Sequence, residues 1–259
     1  MLTKLGYLTR PIARATNTTS NPNTPWLPTD LSSLYGWWDA SDTSTIQEAD
    51  NAGRVSQWND KSAQANHLLQ TTPNNQPDTG TTTINGLNSI AFGVTAAHFL
   101  SPNGALTGTL SEVDAQDISI HVIFRQSNTN SSGALISLKS TNGSDSLLPN
   151  FSTTNRYYGP NNTGSSYRII NPSPFDKSTT HLLGFEGNAT DISLYKNGAL
   201  QTSEGAAAGS NFFNRFVLGY RASASQLWRG EIGEIIISNA LNTADRQAVE
   251  GYLTNKWGI

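Results

Sequence analysis

One pattern recurs through most of the chain: short apolar or alternating runs are separated by segments rich in Ser, Thr, Asn and Gly. Residues 118–124 alternate and then become wholly apolar, and residues 231–237 form a similar run. Such runs are typical of strands, because successive side chains of a strand point to opposite faces. Ser, Thr and Asn make up 84 of the 259 residues, and these types favour strands and turns over helices. We therefore expect about ten short strands and no alternation of strands with helices.

The C-terminal segment is the exception to this pattern. Asn242 is suited to cap a helix, and Asp245 places a negative charge in the first turn, where the helix dipole favours it. Gly258 is suited to end the helix. Between them stand apolar residues at spacings of three and four, together with one lysine near the end: Val249, Tyr252, Leu253, Lys256 and Trp257. The sequence thus predicts an all-β jelly-roll β-sandwich over residues 31–259 with one C-terminal helix.

Residues 1–30 differ from the rest and are interpreted as an extended N-terminal arm. This segment contains three basic residues and no acidic residue before Asp30. Residues 16–25 consist entirely of Thr, Asn, Ser and Pro, which is typical of an extended linker. We expect the arm to anchor the protein to a partner through its basic and apolar side chains, which are Leu2, Lys4, Leu5, Tyr7, Leu8, Arg10 and Arg14.

Charge and composition exclude several classes of protein. The net charge of −3 provides no general attraction for nucleic acid. The absence of cysteine excludes a disulfide framework, a cysteine nucleophile and a thiolate metal site. No apolar run is long enough to span a membrane, and the N-terminus lacks the apolar core of a signal peptide. We therefore expect a protein that is made in the cytoplasm without a signal peptide.

Five motifs occur in an order that resembles a known superfamily. They are LYGWWDASD at 34–42, VSQWNDKS at 55–62, LYKNG at 194–198, WRGEIGEIII at 228–237, and the helical segment at 241–258. In these motifs the chain resembles the concanavalin A-like lectin/glucanase superfamily, specifically the laminin-G-like jelly rolls of phage and bacterial proteins. The resemblance covers residues 31–259 and implies a β-sandwich. It leaves the function open, because this fold includes lectins, glycosidases, adhesins and virion proteins.

The acidic and histidine residues do not form a recognisable catalytic motif. Glucanases of this superfamily place their acids at alternate positions of one strand, and the nearest pair here is Glu231 and Glu234. A spacing of three predicts that they lie on opposite faces, with Glu231 exposed and Glu234 hydrogen-bonded near the terminal helix. The four histidines have no metal-ligand spacing, and His121 is expected to be a hydrogen-bonded strand residue. We therefore predict that the protein is not an enzyme.

Calcium is the one cofactor that the resemblance implies, because laminin-G-like domains often hold it at the rim of the sandwich. Carboxylate and carbonyl oxygens are its preferred ligands. The candidate ligands are Asp39, Asp42 and Asp60, or alternatively Glu112, Asp114 and Asp117. No EF-hand spacing is present, and Asp42 before Thr-Ser is equally typical of a turn. The prediction is therefore either no cofactor or calcium.

A carbohydrate site is predicted in the segment 155–168, which resembles a hairpin with a long polar tip. It brings together Arg156, Tyr157, Tyr158, Tyr167 and Arg168. Tyrosine rings can stack on sugars, while Arg and Asn side chains bond hydroxyl groups. The alternative is an ordinary solvated hairpin with cross-strand tyrosine pairs. The tryptophans of the family motifs, in contrast, are expected in the core: Trp37, Trp38, Trp58 and Trp257.

The leading functional hypothesis is a non-enzymatic structural protein of a phage virion, such as a head decoration, neck or tail-fibre component. The arm would bind other virion proteins, and many copies of the jelly roll would be displayed and bind polysaccharide on the host surface. The basic arm, the missing signal peptide, the absence of cysteine and the polar composition all favour this location. A bacterial surface lectin is the alternative. A glycoside hydrolase or lyase is disfavoured by the missing acid pair.

Overall fold

The described part of the molecule is built almost entirely of strands and ends in one α-helix, as predicted. Among the described residues, no helix is long and apolar enough to cross a lipid bilayer. Residues 1–24, most of the predicted arm, lie outside them, so the arm and the boundary at residues 30 and 31 stay predictions. The computed structural model describes residues 25–49, 52–93, 98–102, 113–114, 117–128, 133–140, 145–150, 157–159, 168–170, 175–188, 190–205, 212–221 and 226–259.

The largest sheet has seven antiparallel strands, numbered here in chain order along the whole protein. Its strands, in spatial order, are β1 (Leu34–Asp39), β21 (Gly230–Ser238), β10 (Ile118–Gln126), β15 (Thr180–Gly187), β16 (Asp191–Lys196) and β17 (Ala199–Gly205), and β7 (Ile90–Phe92) also pairs with β21. Asn197 and Gly198 connect β16 to β17 with φ angles of 51° and 78°. Two successive positive φ angles are what a tight two-residue hairpin turn requires, so the LYKNG motif at 194–198 forms the turn of a β-hairpin.

Two four-stranded sheets and three short pairs complete the β structure of the described residues. One sheet consists of β12 (Asp145–Asn150), β11 (Ala134–Ser140), β18 (Phe212–Leu218) and β9 (Val113–Asp114), and the other of β2 (Ile46–Glu48), β3 (Val55–Trp58), β4 (Leu68–Leu69) and β8 (Ser101–Pro102). The pairs are β5 (Thr83–Ile84) with β6 (Leu87–Asn88), β13 (Tyr157–Gly159) with β14 (Arg168–Ile170), and β19 (Tyr220–Arg221) with β20 (Gln226–Leu227). Three 3-10 turns are Pro28–Asp30, Thr43–Thr45 and Pro73–Asn75.

The main core lies between the large sheet and the sheet that contains β11 and β18. Alternate residues of β10 face this core, which explains the alternation seen in the sequence. Trp38 of β1 meets Phe216 of β18 edge to face, with ring centroids 5.2 Å apart. Trp38 and Trp58 are both fully buried there, as predicted. The chain therefore forms a β-sandwich whose inner faces are apolar.

A second apolar cluster covers the outer face of the large sheet. It consists of sheet residues such as Trp37 and Ile236 together with Val249, Leu253 and Trp257 of helix α1 (Thr243–Trp257). The helix begins as predicted, because the Asn242 side chain accepts a hydrogen bond from the backbone N–H of Asp245 at 3.0 Å. It ends at Gly258, which has a left-handed φ of 67°. Helix α1 is thereby fixed against the outer face.

Strand β21 contains a β-bulge at Gly233. Arg125 of β10 lies opposite Glu231, whereas Ile123 lies opposite Glu234, so the two glutamates face the same side of the sheet. The prediction of opposite faces is wrong, because the extra residue shifts the alternation by one position. Glu231 was expected to be exposed, but its side chain is partly buried and forms an ion pair with Arg125 at 2.8 Å. Both glutamates thus lie on the outer face.

Candidate functional site

Glu234 is the centre of a buried polar cluster between the large sheet and helix α1. Its carboxylate accepts hydrogen bonds from the indoles of Trp37 at 2.6 Å and Trp257 at 2.7 Å. The Tyr252 hydroxyl donates at 2.9 Å and the Lys256 ammonium at 2.7 Å. Burial and the nearby Asp39 raise the pKa of Glu234, while Lys256 acts in the opposite direction. The predicted hydrogen bonding of Glu234 near the helix is therefore confirmed, and it positions three residues of α1.

A chain of ion pairs extends this cluster to the protein surface. Lys256 lies 2.7 Å from Asp39, and Lys61 lies 3.2 Å from Asp39 and 2.7 Å from Asp42. Burial acts to raise the pKa of Asp39, but the hydrogen bond and charge of Lys256 outweigh it and hold that pKa below its usual range. Two of the predicted calcium ligands, Asp39 and Asp42, thus have an ammonium group between them.

Asp60, the third predicted calcium ligand of this set, organises the backbone around β1. Its carboxylate accepts hydrogen bonds from the backbone N–H groups of Trp37, Ser62 and Asn66 at 2.8–2.9 Å. The Ser62 hydroxyl adds a fourth at 2.6 Å. These bonds hold the turn after β3 against β1. Asp60 therefore has a structural role that accounts for its carboxylate.

The alternative calcium set is described only in part. Glu112 lies outside the described residues, and of Asp114 only the strand position is described. Asp117 accepts hydrogen bonds from Asn239 at 2.5 Å and from the backbone of Ala240 at 3.0 Å. No group of three acidic, histidine or cysteine residues within the described residues is arranged to hold a metal ion. Calcium binding stays a prediction without a coordination geometry to support it.

An open groove lies beside helix α1. It encloses about 620 Å³, which falls in the range of ligand sites, and it is lined by Pro25, Trp26, Ala248, Gly251, Tyr252, Asn255 and Lys256. The Trp26 and Tyr252 rings meet at 59° with centroids 5.8 Å apart, and Tyr252 meets Trp37 edge to face at 6.4 Å. A Cβ built on Gly251 would meet no atom within 4 Å, so the floor of the groove is open.

The buried cluster fixes one wall of this groove. The Tyr252 hydroxyl is bound to Glu234, and burial raises its pKa, so the hydroxyl remains a neutral donor. Trp26 is partly buried against Tyr252 and leaves part of its ring facing outward. Asn255 is exposed, and its side chain has no hydrogen-bond partner among the described residues. The groove therefore has an aromatic surface, fixed by the bond between Tyr252 and Glu234, next to the exposed side-chain amide of Asn255.

The predicted hairpin at 155–168 is described only through its strands. β13 and β14 pair antiparallel, with Tyr157 opposite Ile170 and Gly159 opposite Arg168. Arg156 and Tyr167 lie outside the described residues, as do the side chains of Tyr157, Tyr158 and Arg168. The predicted anchoring residues Leu2, Lys4, Leu5, Tyr7, Leu8, Arg10 and Arg14 lie outside them as well. The hairpin as a carbohydrate site stays a prediction.

A second buried polar cluster surrounds His121 under the other half of α1. The Nδ1 atom of His121 lies 3.2 Å from the Ser119 hydroxyl, which in turn donates to Glu186 at 2.7 Å. The Nε2 atom lies 3.9 Å from both Glu186 and Glu250 and has no hydrogen-bond partner among the described residues. The predicted hydrogen bonding of His121 is therefore found at Nδ1 but not at Nε2. The cluster is closed by Arg246, which pairs with Glu250 at 2.6 Å.

Titration of this cluster affects stability in two opposite directions. Burial and the charge of Arg246 lower the pKa of His121 to about 3, so His121 makes folding less favourable as the pH falls from 6.5 towards 3. Burial raises the pKa of Glu186 from 4.5 to about 7 despite its hydrogen bond from Ser119. The folded state therefore binds the Glu186 proton more tightly, and stability falls as the pH rises from 4.5 to 7. Between pH 4.5 and 6.5 the two effects oppose each other.

Sequence reasoning missed the groove because its parts belong to separate segments. Trp26 was assigned to the end of the arm, and Tyr252 was assigned to the apolar face of the helix. A tryptophan next to Pro25, directly before the domain, is the signal that could have been noticed. Its position beside Tyr252, 226 residues later in the chain, could not have been deduced from local patterns.

No protein-family model matches the chain, and no curated protein matches it either. Solved structures do match. The binding domain of Paraclostridial Mosquitocidal Protein 1 has a TM-score of 0.61 at 11% identity, covering 88% of this chain and 54% of that one. The binding domain of botulinum neurotoxin serotype G has a TM-score of 0.59 at 11% identity, covering 85% and 51%. Trypanosoma rangeli sialidase in complex with the inhibitor DANA has a TM-score of 0.57 at 11% identity, covering 84% and 32%.

These matches define the class of the protein as a β-sandwich. The chain spans about half of the toxin binding domains and about a third of the sialidase. Identities this low establish a shared fold and nothing further. The fold implied by the five sequence motifs is thereby confirmed, while membership of the laminin-G-like group stays a prediction.

The prediction that the protein is not an enzyme is contradicted by the sialidases among these matches. Most of this chain superimposes on part of an enzyme, so the fold does not separate this protein from enzymes. One argument for that prediction also fails, because the bulge at Gly233 places Glu231 and Glu234 on the same face. In this structure Glu234 accepts hydrogen bonds from the indoles of Trp37 and Trp257. Glu231 accepts a hydrogen bond from Arg125.

Proposed function

We propose that this chain is a glycan-binding module and that the groove beside helix α1 holds the sugar. The observation that carries the proposal is the partly exposed ring of Trp26 next to the held ring of Tyr252. An aromatic ring packs well against the apolar face of a pyranose. The lectin-like fold supports the proposal, as does a solved complex of Trypanosoma rangeli sialidase with sialic acid, which covers 88% of this chain.

Different residues of the groove would make the stacking contact and the hydrogen bonds to the sugar. Trp26 provides the surface on which a sugar ring stacks, and Tyr252 supports Trp26 from behind. Asn255 both donates and accepts hydrogen bonds, which suits sugar hydroxyl groups. A single stacked ring with a few hydrogen bonds implies a Kd in the high micromolar to millimolar range. Strong attachment would then require many copies, because effective concentration multiplies weak contacts.

A glycan array with the protein displayed in many copies tests this proposal. Trp26→Ala removes the stacking surface and is expected to abolish binding to the glycans that the unmodified protein retains. Leu27→Ala is the matched control, because Leu27 is 42% exposed, adjacent in sequence and not part of the groove lining. Equal retention of glycans by Trp26→Ala and the unmodified protein would contradict the proposed groove.

The hairpin bearing Tyr157, Tyr158 and Tyr167 is the second candidate for the same function. Its support is the bunching of tyrosine and arginine in the sequence and the antiparallel pairing of β13 with β14. Tyr157→Ala combined with Tyr167→Ala tests it on the same array. Loss of binding in this double variant, with retention in Trp26→Ala, would move the sugar site to the hairpin.

We further propose that the module is displayed on a phage virion, with residues 1–30 as its anchor to other virion proteins. The support comes from the sequence: a basic arm with an apolar cluster, no cysteine and a composition rich in Ser, Thr and Asn. Deletion of residues 1–24 leaves Trp26 in place, so glycan binding should persist while incorporation into the particle is lost. Unchanged incorporation after the deletion would contradict the role of residues 1–30 as the anchor, whereas absence of the full-length protein from the particles would favour a bacterial surface lectin.

A further inference from the structure

We infer that the groove beside α1 accepts an uncharged sugar and discriminates against sugars that carry a carboxylate. The inference rests on the proposed function and specifies its ligand class. Its basis is the way in which the charges around the groove are already paired within the protein. It is notable because Trypanosoma rangeli sialidase, about a third of which matches this chain, was solved in complex with sialic acid, which is a carboxylate sugar.

Lys256 is the one charged residue among the described residues that line the groove. An ammonium group has three N–H donors. The Nζ atom of Lys256 lies 2.7 Å from Asp39, 2.7 Å from Glu234 and 3.4 Å from the Tyr252 hydroxyl. All three donors are therefore directed to partners within the protein. A ligand carboxylate in the groove would find no free donor on this lysine.

The charged groups next to the groove do not have a net positive charge. Three carboxylates, those of Asp39, Asp42 and Glu234, face two ammonium groups, those of Lys61 and Lys256. The cluster thus has a net charge of about −1 when Glu234 is ionised and about zero when it is protonated. Neither state attracts an anion. A ligand carboxylate would lose its hydration at the groove without a compensating partner.

The remaining groove residues suit a neutral ligand. The faces of the Trp26 and Tyr252 rings carry partial negative charge, which disfavours a carboxylate lying over them. Hydroxyl groups both donate and accept hydrogen bonds, and so does the exposed amide of Asn255. An uncharged pyranose therefore matches the rings and the amide together, whereas an acidic sugar matches neither the rings nor the paired lysine.

The test is an array of neutral oligosaccharides, each displayed beside the same oligosaccharide with a terminal sialic acid. We expect Trp26-dependent binding to neutral members to be at least about tenfold tighter than to their sialylated counterparts. We also expect that binding to change little between about 20 and 500 mM salt, because no ligand charge is recognised. Tighter, Trp26-dependent binding to the sialylated members would overturn this inference and leave the proposed function standing. Binding to no member would overturn both.

A pair of variants tests the charge argument itself. Asp39→Asn removes a carboxylate that holds Lys256, and we expect it to narrow the preference for neutral over sialylated members several-fold. Asp42→Asn is the matched control for the pairing of Lys256, because it changes the net charge of the cluster by the same amount, while Asp42 pairs with Lys61 and does not contact Lys256. The melting temperature of each variant shows whether it is folded. An equal change in the binding of both classes of sugar, or the same effect from Asp42→Asn, would contradict the role assigned to the pairing of Lys256.

Discussion

Trp257→Ala removes a side chain that holds helix α1 to the outer face of the large sheet. The Trp257 side chain is 0% exposed, and its indole donates to the buried carboxylate of Glu234 at 2.7 Å. Its ring also lies against the backbone of Gly233, where even a single added Cβ would come within 2.7 Å of it. The substitution therefore leaves a cavity beneath α1 and removes one of the hydrogen-bond donors to the buried carboxylate of Glu234.

The magnitude follows from these two losses. Replacing a fully buried large aromatic residue by alanine costs roughly 3–5 kcal/mol. Loss of a hydrogen bond to a charged group adds about 1.5–3 kcal/mol, although the two terms are not strictly additive because the sites are in contact. For a domain of this size each kcal/mol lowers the Tm by roughly 2–4 °C. We therefore expect the Tm to fall by at least about 6 °C.

Thermal and denaturant unfolding followed by near-ultraviolet circular dichroism measure this change. Trp257→Phe keeps much of the ring but not the indole N–H, so it separates the hydrogen bond from the packing and is expected to lose less. Ile259→Ala is a control, because Ile259 is 36% exposed at the end of the chain. An unfolding free energy for Trp257→Ala within about 1 kcal/mol of the unmodified protein would show that α1 contributes little to the fold.

Three further substitutions test other parts of the structure. Glu186→Gln should remove the fall in the free energy of unfolding that the unmodified protein shows between pH 4.5 and 7. Relative to its value at pH 4.5, the free energy of unfolding at pH 8 should therefore be higher by about 3 kcal/mol in the variant than in the unmodified protein, and parallel curves of stability against pH would refute this. Gly233→Ala should destabilise by about 1–3 kcal/mol because its Cβ collides with Trp257, whereas Gly251→Ala, whose Cβ meets open space, should not. Asn242→Ala should cost about 1 kcal/mol in chemical denaturation through loss of the helix cap, and no measurable change would contradict that role.

The candidate site was only partly predictable. The assignment of Glu234 as a hydrogen-bonded residue near the terminal helix was correct, but its relation to Glu231 was not. The resemblance made Asp39 and Asp42 candidate calcium ligands, which stays a prediction, and their ion pairs were missed because the partners, Lys61 and Lys256, lie 19 or more positions away in the chain. An acidic residue looks the same in sequence whether a metal ion or a lysine neutralises it. Only the tertiary structure shows the ion pairs of Asp39 and Asp42 with lysines.

The sequence by itself determined the local structure of this protein. The hairpin turn at Asn197 and Gly198, the cap at Asn242 and the helix end at Gly258 depend on backbone angles and on neighbours a few residues away. The tertiary structure alone decided which strands pair, where β21 is bulged, and which side chains meet beneath α1. These depend on contacts such as that between Trp26 and Tyr252, whose formation reflects the packing of the whole chain. Local preferences act over a few residues, whereas register and burial are set by surfaces that folding brings together.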